Sequence, residues 1–210
     1  MEETEKQGQG GTRWRRFAAV MVPTVAVVGA LGAGIASGAV PVTFAVSGTQ
    51  FHLTAKHLSG TDFTQYGSVV KIKAAGAYTA VAESTISSAD ITNLCQSVGQ
   101  PLPNLPGVSG KTGWFKLTVG DQPDKPAHAT GLIIDMTHLH GDATFTHINI
   151  GQDASDLSDR GQIGGFGQAA DGVEIEGLDQ NAWSTTAGTF TLPNLDLSVS
   201  MGGAGDDPCK

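Results

Sequence analysis

Apolar residues alternate with polar or small ones through most of the sequence after residue 40. The alternation is clearest in six short runs: 42–46, 51–55, 70–74, 115–119, 173–176 and 195–201. Successive side chains of a strand point to opposite faces of a sheet, so a period of two indicates strands with one buried and one wet face. The sequence therefore predicts an all-β domain, built as a single curved sheet, a sandwich or an open barrel of antiparallel strands.

One short helix is predicted within this domain, over Ser88–Val98, with Ser87 or Ser88 as its N-cap. The segment PLPNLPG at 101–107 follows it. Because proline fixes its own backbone and cannot donate a hydrogen bond, this segment is predicted to be an extended surface loop.

Three stretches of the sequence echo one another: 51–66, 132–148 and, more faintly, 173–186. The first two read as a strand, then His-Leu-x-Gly, a short polar step, Phe-Thr and a second strand. Such repetition predicts strand–turn–strand units that stack into one sheet.

The N-terminal region has the features of a targeting segment. Arginines cluster at 13–16, and no charged side chain occurs from 17 to 55. The apolar stretch 17–39 ends with the small residues Ser37 and Ala39, which fits a secretory signal cleaved after Ala39. The alternative is an uncleaved anchor helix that contacts the membrane through residues 17–39.

These features predict two parts of the chain: a signal peptide or membrane anchor at 1–39 and a β-rich exported domain at 40–210. The only two cysteines, Cys95 and Cys209, are predicted to form a disulfide, since an even count in an exported chain favours pairing. The predicted location is therefore secreted or extracytoplasmic.

The charge balance argues against nucleic acid as a partner. The chain carries a net charge of −8, and fourteen acidic residues lie between Asp121 and Asp207 against two basic ones. A surface of this sign repels phosphate backbones. No cofactor motif is present, so no cofactor is predicted.

The stretch 128–151 holds four of the six histidines. Within it, His138, His140 and Asp142 match H-x-H-x-D, the opening of a metallo-β-lactamase-type zinc signature. Ala143 stands where that signature has a further histidine, and no histidine follows His147. The sequence therefore predicts no metal, and these histidines are interpreted as turn residues.

A serine hydrolase is the other chemistry this stretch could support. The chain has no G-x-S-x-G elbow, but a Ser-His-Asp device is defined by geometry rather than spacing. The candidate catalytic residues are His138, His140 or His147 as base, Asp135 or Asp142 as orienting acid, and Ser109 as one possible nucleophile.

Five aromatic residues are candidates either for the core or for the lining of a lipid-binding cavity in a curved sheet. They are Trp114, Phe145, Phe166, Trp183 and Phe190.

Three blocks of the sequence resemble a known family: RWRRFAAVMVPTVAVVGALGAGIASGAVPVTFAVSG near the start, FTQYG, and FTLPNLDLSVSM near the end. The family consists of small exported actinobacterial proteins, often labelled cholesterol esterase and otherwise filed as a domain of unknown function. The resemblance implies a secreted hydrolase that acts on fatty-acyl sterol esters, with a lipid or sterol ester as its partner.

Two functions therefore stay open at the level of sequence. One is a cholesterol esterase-like hydrolase, which the resemblance implies. The other is a non-catalytic lipid-binding or cell-envelope protein whose curved sheet shelters an apolar ligand, which the alternating strands favour.

Overall fold

The computed structural model describes residues 45, 46, 48–122 and 124–210, which form ten strands and one short helix. In chain order these are β1 (Ala45–Val46), β2 (Phe51–Ile72), β3 (Ala77–Thr92), β4 (Leu94–Pro101), β5 (Thr112–Val119), β6 (Ala127–Thr146), β7 (Asn149–Asp153), α1 (Ala154–Leu157), β8 (Phe166–Thr186), β9 (Thr189–Thr191) and β10 (Asp196–Gly202). The signal or anchor helix predicted at 1–39 lies outside the described residues. Within the described ranges, no helix combines the length and the apolar character that a membrane span needs.

The prediction of an all-β antiparallel fold is confirmed. All strand pairs are antiparallel except β1 with β2. The alternating runs beyond residue 50 lie in β2, β5, β8 and β10. The run at 42–46 is described only at 45 and 46, which form β1.

The helix predicted at Ser88–Val98 is wrong, because this segment forms the end of β3 and most of β4. Ala89 and Ile91 are buried on one side of β3, with exposed Asp90 between them, so the period is two rather than 3.6. Asn93 then adopts a left-handed conformation (φ 51°) that joins the two strands. The short helix is instead α1, where the Asp153 carboxylate accepts a hydrogen bond from the backbone N–H of Ser155.

The predicted turns at the two His-Leu-x-Gly motifs are also wrong. The stretches 51–66 and 173–186 fall within the long strands β2 and β8, and 132–148 falls within β6 up to Thr146; the strands run through these motifs without a break. The strands bend there instead: Asp62 and Gly177 have positive φ angles, and the pairing of β6 with β8 shifts register between His140 and Asp142. The echo therefore marks kinked strands of one sheet.

Four long strands close into a ring. Along the sheet the order is β10-β5-β4-β2-β3-β6-β8-β7, and β8 also pairs with β2. That last pairing runs from Phe51 opposite Ala182 to Tyr66 opposite Gly167. The predicted curved sheet is thus closed through β2, β3, β6 and β8 rather than open. The strands β4, β5 and β10 extend from the ring where β4 pairs with the start of β2.

The core lies inside the ring. Its largest cluster takes buried aliphatic side chains from β2, β3, β6 and β8, together with Leu94 and Val119 from the extension. Because each strand contributes alternate residues to this cluster, the buried face of the alternating pattern faces the interior of the ring.

The C-terminal tail, residues 203–210, packs on the extension. The predicted disulfide is confirmed: Cys95 in β4 bonds to Cys209, 114 residues along the chain, with their Cα atoms 5.7 Å apart. The indole N–H of Trp114 donates to the carbonyl of Gly203, and the Ser97 hydroxyl donates to Asp207. The residues after Pro101, up to Lys111, form the predicted irregular loop.

Candidate functional site

The predicted catalytic histidines on β6 are exposed. His138 lies opposite Asn181 and His140 opposite Asp179, on the neighbouring strand β8. His147 is also exposed, and its Nδ1 lies 2.9 Å from a carboxylate oxygen of Asp171.

Among the described residues, none of the remaining catalytic candidates hydrogen-bonds to these histidines. Asp135 is buried and accepts a hydrogen bond from the Ser184 hydroxyl, whereas Asp142 is exposed opposite Glu176. The Ser109 hydroxyl, in the loop after β4, donates to Asn104. Among the described residues, no serine hydroxyl hydrogen-bonds to a histidine ring, and no group of three or more His, Cys, Asp or Glu could hold a metal ion. The catalytic role of these residues stays a prediction.

The five aromatic candidates have different positions. Phe190 lines an apolar cavity, Trp114 lines a second cavity under the tail, and Phe145 packs against Phe63 with ring centroids 5.3 Å apart. Phe166 is exposed, and Trp183 packs on Val70 and Val81. Only Phe190 thus contacts the cavity that the ring and its extension enclose.

This cavity has a volume of about 320 Å³. Its deep walls are buried leucine and isoleucine side chains of the ring, and its rim is formed by half-buried Phe51, Leu117, Ala187 and Leu192 with Phe190. Cavities that hold small molecules in proteins span about 300–1,000 Å³ and are mostly apolar. The volume therefore suits one acyl chain or one compact ring system.

The strand register explains why so many distant residues meet here. Leu53 of β2 lies opposite Gln180 of β8 on one side and opposite Gln96 of β4 on the other, and Gln96 lies opposite Leu117 of β5. Directly opposed residues share a face of the sheet. A single lateral row thus places these four side chains in the cavity wall.

Two polar groups in the wall have no hydrogen-bond partner in the part of the chain that the structure describes. Gln180 is only 2% exposed, and no described residue hydrogen-bonds to its side-chain amide. The buried Thr185 hydroxyl likewise has no hydrogen-bond partner within the described chain. A buried polar group without a partner costs about 1–3 kcal/mol, so these groups are suited to hydrogen-bonding a ligand.

No described residue that lines the wall has a charged side chain. A carboxylate brought into such a site would be desolvated without a compensating cation. The cavity therefore suits a ligand that is apolar except for a neutral group, such as a hydroxyl or an ester carbonyl, that can pair with an amide and a hydroxyl.

A second polar cluster lies under the tail. His52 is 7% exposed, with Nε2 3.1 Å from Asp179 and Nδ1 2.8 Å from Asp207. Burial alone would raise the pKa of Asp207. The hydrogen bonds from the Ser97 hydroxyl and the Cys209 backbone N–H, together with the His52 ring, outweigh burial and hold this pKa below its ordinary value. The cluster thus ties the tail to the ring.

A third cluster lies where α1 and the loop after it pack on the ring. The Tyr66 hydroxyl donates to the buried Glu83 carboxylate at 2.5 Å, and Arg160 lies 3.2 Å from the same oxygen. Burial, and secondly the bond to Glu83, raises the pKa of Tyr66 to about 12. Glu83 also lies opposite Asp135, so two buried carboxyl groups neighbour each other on β3 and β6.

No sequence motif singles out Gln180, Thr185 or His52 as a site residue. Gln180 sits in LDQN and Thr185 in WSTT, both of which look like ordinary polar strand or turn sequence. One signal was present in the sequence: alternation within β8 puts Gln180 on the same face as Leu178 and Ala182, which are buried. That these residues face a cavity depends on long-range pairing with β2, which no local pattern encodes.

Comparison with protein families gives one further result. A family model described as "Family of unknown function (DUF6230)" matches residues 47–210, well over half of the chain. Comparison with curated proteins and with solved structures finds no significant match.

Proposed function

Since the chain belongs to the family of unknown function DUF6230, whose description assigns no activity, we propose its function from the cavity itself. The protein binds a neutral lipid, with an acyl chain or sterol ring system inside the cavity and one hydroxyl or ester group facing Gln180 and Thr185. We further propose that it does so outside the cytoplasm, where the Cys95–Cys209 disulfide persists.

The observation that carries this proposal is the buried Gln180 amide, which lines a mostly apolar cavity and has no hydrogen-bond partner among the described residues. A wholly apolar wall would suit any hydrocarbon. The Gln180 amide and the Thr185 hydroxyl line the same cavity without a partner in the described chain, and they favour a ligand with a matching polar group. The absence of charge in the wall favours neutral lipids over ionised fatty acids.

The test is an equilibrium titration of the full chain at neutral pH with a fluorescent sterol and, separately, with a fluorescent fatty acid. We expect saturable uptake of the sterol and weaker uptake of the ionised acid. Gln180→Leu should weaken sterol binding by about two- to tenfold, the worth of one net hydrogen bond. Gln122→Leu, at an exposed turn, is the matched control and should bind as the wild type does. Absence of saturable uptake would refute the proposal.

Hydrolysis of a bound ester is the second candidate. It is favoured by the resemblance of the FTQYG and FTLPNLDLSVSM blocks to proteins labelled cholesterol esterase. Catalytic hydrogen bonds often tighten only when substrate binds, so the test is kinetic rather than geometric. A burst of nitrophenol from a nitrophenyl acyl ester, abolished by a serine-directed phosphonate, would support an acyl-enzyme. Stoichiometric binding of the intact ester without turnover would reject it.

A further inference from the structure

The edge strand β10 presents an exposed apolar surface on one face of the extension. We call this surface the apolar apron; it consists of Phe115, Leu197, Val199 and Met201. Val199 lies opposite Phe115, and Leu197 and Met201 flank Val199 on the same face. The exposed fraction of these four side chains ranges from 45% for Phe115 to 65% for Val199. Contiguous exposed apolar surface of this kind marks an interaction site in soluble proteins.

The apron continues the wall of the lipid cavity. Leu197 lies directly opposite Leu117, which forms part of the cavity rim. Leu117 in turn ends the lateral row of Gln180, Leu53 and Gln96 that lines the interior. One face of a single sheet therefore runs from the unpaired Gln180 amide, past the rim, to the free edge of β10.

The opposite face of the same strands is polar. Ser198 lies opposite Lys116, which lies opposite Ser97, and on this side Ser97 donates a hydrogen bond to Asp207 of the C-terminal tail. Ser200 lies opposite Trp114, whose indole N–H bonds to the carbonyl of Gly203 in the tail. Within β5 and β10, the exposed large apolar side chains thus all lie on the cavity side.

The charge of the protein favours one kind of partner surface for the apron. Exposed edge strands are usually protected from further pairing by charged residues, especially lysine, or by proline. Residues 197–201, LSVSM, contain none of these. The chain as a whole carries a net charge of −8, which repels an anionic surface. The uncharged apron on an acidic protein suits a lipid surface without net charge.

We propose that the apolar apron docks on a zwitterionic lipid surface and that the cavity exchanges its ligand with that surface. The direct continuity of apron and cavity wall gives a lipid a path that stays on apolar side chains. The choice of a lipid surface over a second copy of the chain rests on the proposed function of the cavity. The first experiment therefore measures contact with vesicles and does not depend on ligand binding, so that docking and ligand binding can fail separately.

That experiment places a tryptophan on either face of β10 in the full chain. Val199→Trp puts the indole on the apron and Ser200→Trp puts it on the polar face, one residue away. With phosphatidylcholine vesicles that carry bromine on the acyl chains, we expect loss of emission in V199W beyond that of the wild type, and no such extra loss in S200W. Equal quenching of the two variants, or none in either, overturns the proposal.

A second experiment measures transfer of the fluorescent sterol from phosphatidylcholine vesicles to the protein. Val199→Glu should slow transfer by about tenfold or more, because a carboxylate is strongly excluded from hydrocarbon; Ser200→Glu should not. Sterol uptake from solution without vesicles should be equal in both, which separates docking from binding. Failure of uptake from solution refutes the cavity's function alone. A wild-type dimer that V199E converts to a monomer, with quenching in V199W unaffected by vesicles, would assign the apron to a second copy and overturn docking.

Discussion

At the scale of single residues, the buried polar groups under the tail give a pH-dependent prediction. Ser97→Ala removes a hydrogen bond to the Asp207 carboxylate, and hydrogen bonds to charged groups are worth about 1.5–3 kcal/mol. The folded-state pKa of Asp207 is below its ordinary value of 3.8, so this carboxylate stabilises the fold above that pH and less as the pH falls through its folded pKa. The loss in unfolding free energy should therefore be full at neutral pH and shrink in acid.

Denaturant unfolding of wild type and S97A between neutral pH and pH 3 checks this prediction. Ser198→Ala is the control, because Ser198 is exposed on the same face of the extension. A destabilisation of S97A that stays constant across this range would show that lost packing, not the carboxylate, accounts for it.

Tyr66 gives a second prediction at this scale. Its pKa is raised to about 12, by burial and by its bond to Glu83, whereas the only other tyrosine, Tyr78, is 62% exposed. A tyrosine with a raised pKa stabilises the fold fully below its unfolded value of 10.0, and that contribution is lost as pH rises towards 12. Tyr66→Phe should remove the late step from an ultraviolet titration, and Tyr78→Phe should leave it. Retention of the step in Y66F contradicts the assignment.

At the scale of elements, the close packing of the ring predicts opposite outcomes for two glycines of β2. A Cβ on Gly60 would lie 2.6 Å from the Ile86 side chain inside the ring, whereas nothing lies within 4 Å of one on Gly67. Gly60→Ala should cost about 1–3 kcal/mol, as overpacked cores do, and Gly67→Ala should be neutral or slightly stabilising. Chemical denaturation measures both, and equal effects would contradict the closed ring.

The strands themselves were largely predictable from sequence, because alternation of apolar and polar side chains reports which face of a strand is buried. The prediction of a helix at Ser88–Val98 is wrong because a serine before an apolar segment is compatible with a helix cap as well as with a strand. The burial of both Ala89 and Ile91 shows the two-residue period of a strand. The two His-Leu-x-Gly motifs predict turns, but they lie at kinks near Asp62 and between His140 and Asp142, because a glycine suits a kinked strand as well as a turn. Closure of the ring by β2 and β8 depends on pairing between residues more than a hundred positions apart.

At the scale of the whole molecule, the disulfide joins the tail to β4. The chain-entropy model gives about 4–5 kcal/mol for a cross-link that closes a loop of this size. The double variant Cys95→Ala, Cys209→Ala should lose up to that amount of unfolding free energy. Because the disulfide also holds Asp207 near Ser97, the effect of S97A should shrink in this background, which is a coupling between neighbours. Strict additivity of the two changes would contradict a shared role for the tail.

The cavity was only partly foreseeable from sequence. An apolar site in a curved sheet follows from the alternation, and Phe190 was among the candidates for its lining. Its other walls come from strands spread between Phe51 and Leu192, so the site exists only once the ring has closed. The composition of the histidine-rich stretch around His138 and His140 indicates a possible catalytic site, yet those side chains lie exposed on β6.

Lipid binding in the cavity can be tested directly by native mass spectrometry of the protein incubated with a neutral sterol or acyl ester, beside two variants. Ala187→Phe places a large side chain at the cavity rim, and Ala143→Phe places the same side chain at an exposed position of β6. We expect one bound lipid per chain for the wild type and for A143F, and none or far less for A187F. Equal occupancy in A187F and A143F, or no bound lipid in the wild type, would contradict it.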